Sequence, residues 1–195
     1  MRHMRHRHRI TVAIATVLAA VVLSPGQASA APTARHRSAI TPAAAAYLKL
    51  ATTLAHVVAN EFHIPASVTA GQSILESSWG QSRLAVNDHN FFGFKCTSAG
   101  PGPMAVGCHD YPATECTPLC HPVSSLFRVY DSTWASFRDY GRVLSTSKNY
   151  TGALPLAHDP NAYVTEVAKK YATDPNYAAK VIRIMQDNNL YQLDK

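Results

Sequence analysis

The sequence predicts an α+β fold, mostly α, with a small β-hairpin lobe, and three observations carry that prediction. Helical periodicity runs from about Pro42 to Ser78. It disappears in "NFFGFKCTSAGPGPMAVGCHDYPATECTPLCHPVSSLFRVY", a run rich in Gly, Pro, Cys and aromatic residues. Capped helical segments then return from Asp131 to the end of the chain.

The N-terminus reads as an address. "MRHMRHRHR" is basic, "ITVAIATVLAAVVL" is apolar, and "SPGQASA" ends in small residues. That order is a secretory signal peptide over residues 1–30, with cleavage after Ala30. The apolar run, about 14 residues, is short of the roughly 20 that span a bilayer, so no stable membrane insertion is expected after cleavage. Removing 30 of the 195 residues leaves 165, enough for one domain with its own core. Residues 31–40, polar and small, read as a disordered leader, and the folded domain is expected over 41–195.

Charge excludes one class of partner. From Ser38 onward the chain carries 12 Lys and Arg against 12 Asp and Glu. The high pI therefore belongs mostly to the signal, with Arg35 and Arg37 of the leader adding to it, and no nucleic-acid partner is expected.

In the domain, Thr41-Pro42 supplies an N-cap and a first-turn proline. The helix that follows places Leu48, Ala51, Ala55 and Val58 on one side. A second helix is expected over about Pro65 to Ser78, with Gly80 beyond its end. In the aperiodic middle, "MAV" and "LFRVY" read as short strands. From Asp131, here taken as a cap, Trp134, Phe137, Tyr140 or Gly141, and Leu144 share one helix face, while Asp139 reads as a surface charge, like Glu166 further on. Two Asp-Pro starts, at Asp159 and Asp174, each predict an Asp-capped helix with Pro in its first turn, and the two helices should pack as a hairpin.

Cys96, Cys108, Cys116 and Cys120 lie within 25 residues. In an exported chain this favours two disulfides. Four cysteines allow three pairings, and 96–108 with 116–120 closes the shortest loops. Zinc is the competing reading, because His109 and His121 follow Cys108 and Cys120. The spacing lacks the paired rhythm of structural zinc modules, and the seven His after the signal show no H-x₃-H spacing. No metal and no cofactor are expected.

One carboxylate stands out. On a wheel at about 100° per residue, Val68, Gly71, Leu75 and Trp79 of the second helix share a side, and Thr69, Ser73 and Ser77 form a polar face. Glu76 falls between them, beside Gln72. It also sits in the last turn, where the helix dipole disfavours a negative charge. Partial burial would act in the same direction, so Glu76 has the features of a general acid that keeps its proton. A helix-end Glu in solvent is the alternative.

The stretch "ILESSWGQSRLAVNDHNFFGFKC" resembles the signature of the endo-β-N-acetylglucosaminidase family of peptidoglycan hydrolases, glycoside hydrolase family 73. Three further blocks resemble it in the same order: "ATECTP", "LFRVYDSTWASFRDYGRVL" and "KKYATDPNYAAKVIRIMQDNNLYQLD". The resemblance implies a lysozyme-like helical domain with the hairpin lobe beside an active-site cleft. It implies cleavage of the β-1,4 bond between N-acetylglucosamine and N-acetylmuramic acid, with glycan strands of peptidoglycan as the partner of a secreted or wall-associated monomer. Glu76 matches the catalytic acid, Glu115 the second acidic residue on the lobe, and Tyr171 the tyrosine near the cleaved sugar. Ser77, Trp79, Asn90, Phe91 and Phe92 match the substrate-binding wall and floor. Phe91 and Phe94 depart from the usual Asn-Leu-Phe-Gly-Ile pattern, and the four cysteines are an addition that most members lack. A lytic transglycosylase-like enzyme and a catalytically silent wall-binding module are the alternative functions.

Overall fold

Among the residues that the computed structural model describes, 40–116 and 119–195 (backbone alone at 113–116 and 120–123), the first helix starts where the sequence places it. The predicted signal peptide, and the leader apart from Ile40, lie outside the described residues. Helix α1 spans Pro42–Phe62, and the Thr41 hydroxyl accepts from the Ala44 N–H at 3.2 Å. Its buried stripe is Ala44, Tyr47, Ala51, Ala55 and Val58, a helical spacing that Leu48 flanks. The three small alanines let neighbouring helices approach closely.

Helix α2, Ala66–Glu76, is the central element, and every residue from Ala66 to Ile74 is buried. It packs on α1, on α6 (Tyr177–Asp187) and on the closing 3-10 turn Leu190–Asp194. Asp194 reaches back to accept from the Ser67 N–H at 3.0 Å, capping a helix whose own Pro65 offers no cap. The polar face expected on Thr69, Ser73 and Ser77 is a correction, because all three are fully buried. Their hydroxyls return to backbone carbonyls of the same segment: Thr69 to Pro65, Ser73 to Ala70, and Ser77 to Ser73. Short hydroxyl side chains satisfied in this way can be enclosed without water. The helix also ends at Glu76, two residues earlier than expected.

After a short helix α3, Arg83–Asp88, comes the lobe. Strands β1, Gly107–Cys116, and β2, Cys120–Val129, pair antiparallel from Gly107↔Val129 to Cys116↔Cys120. The strand expected at "MAV" is thus corrected, because Met104–Val106 precede β1, whereas that at "LFRVY" is the end of β2; both strands run ten residues. Both strands of a two-stranded ribbon are edges. It accommodates Pro112 and needs no apolar alternation, so the pattern was faint in the sequence. Backbone bonds from Cys96 to Leu126 and from Arg128 to Phe94, each 2.9 Å, lay residues 94–96 along β2. A Cys96–Cys108 disulfide ties that segment to β1, as the shortest-loop pairing predicts. The side chains of Cys116 and Cys120, and their predicted bridge, lie outside the described residues.

Helix α4, Thr133–Thr146, is capped by Ser132 rather than Asp131, which instead accepts from the Ser132 hydroxyl. Phe137, Tyr140, Gly141 and Leu144 face the core, but Trp134 is 39% exposed with the Arg138 guanidinium over its ring. Ser136, not Trp134, is buried in the first turn of the helix. Helix α5, Pro160–Tyr171, has the predicted cap, with Asp159 accepting from the N–H groups of Asn161 and Ala162. Helix α6 differs: it begins at Tyr177, and Asp174 holds the preceding turn through the Asn176 N–H and Lys180.

Asp139 is the largest departure from the surface-charge reading. It is fully buried on α4 and is held by Arg128 of β2, by Arg142 one turn on, and by the Tyr130 hydroxyl at 2.8 Å. Burial and the Asp139 charge together hold the Tyr130 phenol far above its ordinary range. This cluster fastens the foot of the lobe to the helical body. Glu166 is the surface residue that it was expected to be, paired with Lys169.

Candidate active site

The backbone reverses sharply just after Glu76. Ser78, Trp79 and Gly80 all have left-handed backbone, with φ of 50°, 60° and 74°. A Trp there is strained. The reversal is held by the N–H of Trp79 on Ile74 O at 3.0 Å, the N–H of Gly80 on Ser77 Oγ at 2.8 Å, and the N–H of Ser82 on Ser77 O at 2.7 Å. Gly80 is obligatory, since a Cβ would lie 2.5 Å from the Tyr47 ring. Buried Ser77 therefore fixes the turn, and partly buried Trp79 packs on the edge of the core. Glu76 is left as the last residue of α2, partly exposed.

The loop Asn90–Phe94 passes beside the carboxylate. Asn90 organises it: Nδ2 donates to the carbonyls of Phe94 and Arg128, each at 2.9 Å, and Oδ1 accepts from the Phe94 N–H at 3.1 Å. The Phe91 N–H donates to Ser136 Oγ, and the Tyr171 hydroxyl donates to Phe92 O at 2.7 Å. Between these anchors Gly93, at φ 66°, brings bare backbone to Glu76, and a Cβ there would stand 3.6 Å from Oε2. Any larger residue would be strained at that φ.

Phe91 and Phe92 are buried, so their rings support the loop from beneath. Phe92 stacks on Tyr140 at 4.1 Å and meets Phe137 edge-on at 4.9 Å. Phe94 continues the row to Tyr171 at 6.1 Å, and Tyr171 stacks on Tyr177 at 5.5 Å. Arg128 lies over Phe94 at 5.2 Å, which links the Asp139 cluster to the rim of the site.

Burial raises the Glu76 carboxyl above its ordinary range, and a hydrogen bond from Tyr177 partly opposes that rise. The direction is the one expected from the sequence; the largest cause is the enclosure by neighbouring groups. Burial also holds the Tyr171 phenol well above its usual range, with the Tyr177 and Glu76 charges acting in the same direction. A carboxyl raised above its ordinary range and open on one side is equipped to give a proton to a bound oxygen.

The fold thus brings Glu76, Ser77, Trp79, Asn90, Phe91, Phe92 and Tyr171 into one region. Glu115 stands on β1 with its backbone opposite His121, one pair from the turn, and its side chain lies outside the described residues. Sequence reasoning missed Gly93 and Tyr177 as neighbours of Glu76. A glycine in an aromatic loop was a usable signal for the first. No local signal existed for the second, which comes from 101 positions away.

Residues 52–190 match the family described as mannosyl-glycoprotein endo-beta-N-acetylglucosaminidase. The peptidoglycan hydrolase FlgJ of Pseudomonas aeruginosa is 32% identical over 145 residues, 71% of this chain and 35% of that protein. A probable N-acetylmuramidase of Lactococcus lactis is 33% identical over 163 residues, 80% of this chain and 36% of that protein. The chain thus spans about a third of the length of these relatives. The solved structure of a C-terminally truncated glycoside hydrolase domain from Salmonella typhimurium FlgJ superposes with a TM-score of 0.59 at 27% identity, covering 75% of this chain and 97% of that domain. With its lysozyme-like helical body and hairpin lobe, the chain belongs to the glucosaminidase family of glycoside hydrolases.

Proposed function

We propose that this protein is an exported peptidoglycan hydrolase that cuts the glycan strand on the reducing side of N-acetylglucosamine, with Glu76 as the general acid. The observation that carries the reading is a carboxyl raised by burial at the end of the central helix, with bare Gly93 backbone beside it. Glu76 gives its proton to the glycosidic oxygen as the bond to the sugar breaks. Positive charge develops on that sugar, and Glu115 on the lobe steadies it or orients the attacking water. Tyr171 lines the site near the cleaved sugar and, through its bond to Phe92 O, keeps the loop in place. One water is consumed per bond. The basic, apolar and small-residue start of the chain supports export, and the relatives named as peptidoglycan hydrolase and N-acetylmuramidase support a wall glycan as substrate.

The family description favours the bond after N-acetylglucosamine. Digestion of purified peptidoglycan, followed by mass spectrometry of the new chain ends, tests it. N-acetylglucosamine at the reducing ends is the expected product. N-acetylmuramic acid there would reassign the bond, and an anhydro-muramyl end, lighter by one water, would show a lytic transglycosylase instead. Glycan binding with no new ends would leave only the wall-binding module.

A further inference from the structure

Glu76 is not held by its own helix alone. Gln72 lies four residues earlier on α2, one turn away on the same face, and is fully enclosed. Both ends of its amide are occupied. Oε1 accepts from the Tyr140 hydroxyl at 2.5 Å, and Nε2 donates to the Tyr177 oxygen at 2.8 Å. Tyr177 in turn stands beside the Glu76 carboxyl, whose pKa its hydroxyl lowers by favouring the charged form. Helices α4, α2 and α6 thus each contribute to one polar chain that crosses the apolar core and ends at the acid.

Chemistry at the far end sets the polarity of that chain. An ionised carboxylate can only accept, and a protonated one still accepts at its carbonyl oxygen, so the single proton of Tyr177 can point to Glu76 in either state and leave the other oxygen for the acid proton. The Tyr177 oxygen must then accept from an N–H, and the amide turns its nitrogen that way. Its oxygen is left facing Tyr140, whose proton it takes. Glutamine offers a donor at one end and an acceptor at the other; methionine or leucine of similar size offers neither.

We propose that Gln72 is a positioning residue for the acid. By filling the acceptor side of the Tyr177 oxygen, it keeps the Tyr177 proton on one oxygen of Glu76 and leaves the other to carry the transferable proton. This rests on the reading of Glu76 as the acid. The chain also limits how far burial raises the carboxyl, because a donor to the charged form favours ionisation. Among the described residues, Tyr171 on α5 is another titratable group whose charge couples to that of Glu76, and its own proton is committed to Phe92 O. Gly93, on the loop side, adds no side chain.

The test is a carbon-13 carboxyl titration of Glu76 in the full chain, for the wild type, Tyr177→Phe, Gln72→Met and Tyr140→Phe, with pH–rate profiles alongside. In Tyr177→Phe the Glu76 midpoint should move to higher pH, and the falling limb of activity should move with it. Its kcat at the optimum should drop by about 10–100-fold, with KM little changed. Gln72→Met should move the midpoint in the same direction by less, since Tyr177 keeps its proton but loses the donor that polarises and orients it. Tyr140→Phe keeps the core volume and frees the amide to turn over. It carries the test if the other variants fail to fold, with the midpoint again expected to rise. An unmoved Glu76 midpoint in the folded variants would overturn the relay. The titration needs no substrate, so its failure is separate from failure of the acid assignment, which shows as undiminished cleavage by Glu76→Gln.

Discussion

Glu76→Gln is expected to lower glycan cleavage by about 10²–10⁴-fold while leaving the protein folded, and to raise its thermal midpoint at neutral pH. The loss follows from removing the proposed general acid, a contribution of that size. The gain in stability follows from linkage. Burial raises the folded-state value of Glu76 above that of the unfolded chain. The stability tied to its proton is therefore complete below the unfolded value and is lost as pH rises through the folded value. Glutamine keeps the shape and the bond from Tyr177 with no charge to bury, so the variant should exceed the wild type above that pH and match it more closely in acid. Thermal melts at pH 4 and pH 7, beside a reducing-end assay, read both effects. A variant that melts lower at pH 7 than the wild type would show that the Glu76 charge is not unfavourably enclosed.

The second large effect belongs to Asp139. Replacing it with Asn keeps the volume but leaves the guanidiniums of Arg128 and Arg142 without their shared carboxylate in a site where Asp139 is fully enclosed. Breaking a buried ion pair from one side typically costs about 3–5 kcal/mol. For a domain of this size, that corresponds to a fall in thermal midpoint on the order of 10 °C. Arg128 also covers the Phe94 ring, so cleavage should decline below the unfolding temperature as the Asn90–Phe94 loop loosens. Glu166→Gln provides the contrast, because that carboxylate pairs with Lys169 in solvent, where such a pair is worth about 0–1 kcal/mol. Equal midpoints for the two variants would remove the anchoring role of Asp139.

Why these two acids differed in legibility is physical. Glu76 announced itself by local features: a helix-end position, the Trp-Gly stop, and a place at the margin of an apolar arc. Asp139 sits mid-helix with Arg142 at i+3, a pattern that surface helices share, and its burial depends on Arg128 at the end of β2 and Tyr130 just after it. The caps at Thr41 and Asp159 were readable because each acts on N–H groups within three residues. At Asp174 the same Asp-Pro motif made a turn instead, with α6 starting at Tyr177. The polar face of α2 was misplaced because helical periodicity assigns hydroxyls to solvent, whereas Ser and Thr can satisfy themselves on their own backbone. The Tyr140–Gln72–Tyr177 chain joins three helices across up to 105 positions, and no pattern along the chain encodes it.

The central claim is that one enclosed carboxyl supplies the proton that breaks the glycan. Its most direct measurement follows two curves across pH under the same conditions: the carboxyl titration of Glu76, and kcat/KM on a soluble peptidoglycan oligosaccharide. The account predicts that the falling limb of activity and the loss of the Glu76 proton share one midpoint, above the ordinary glutamate value of about 4.3. Full activity at a pH where Glu76 is already ionised would contradict it.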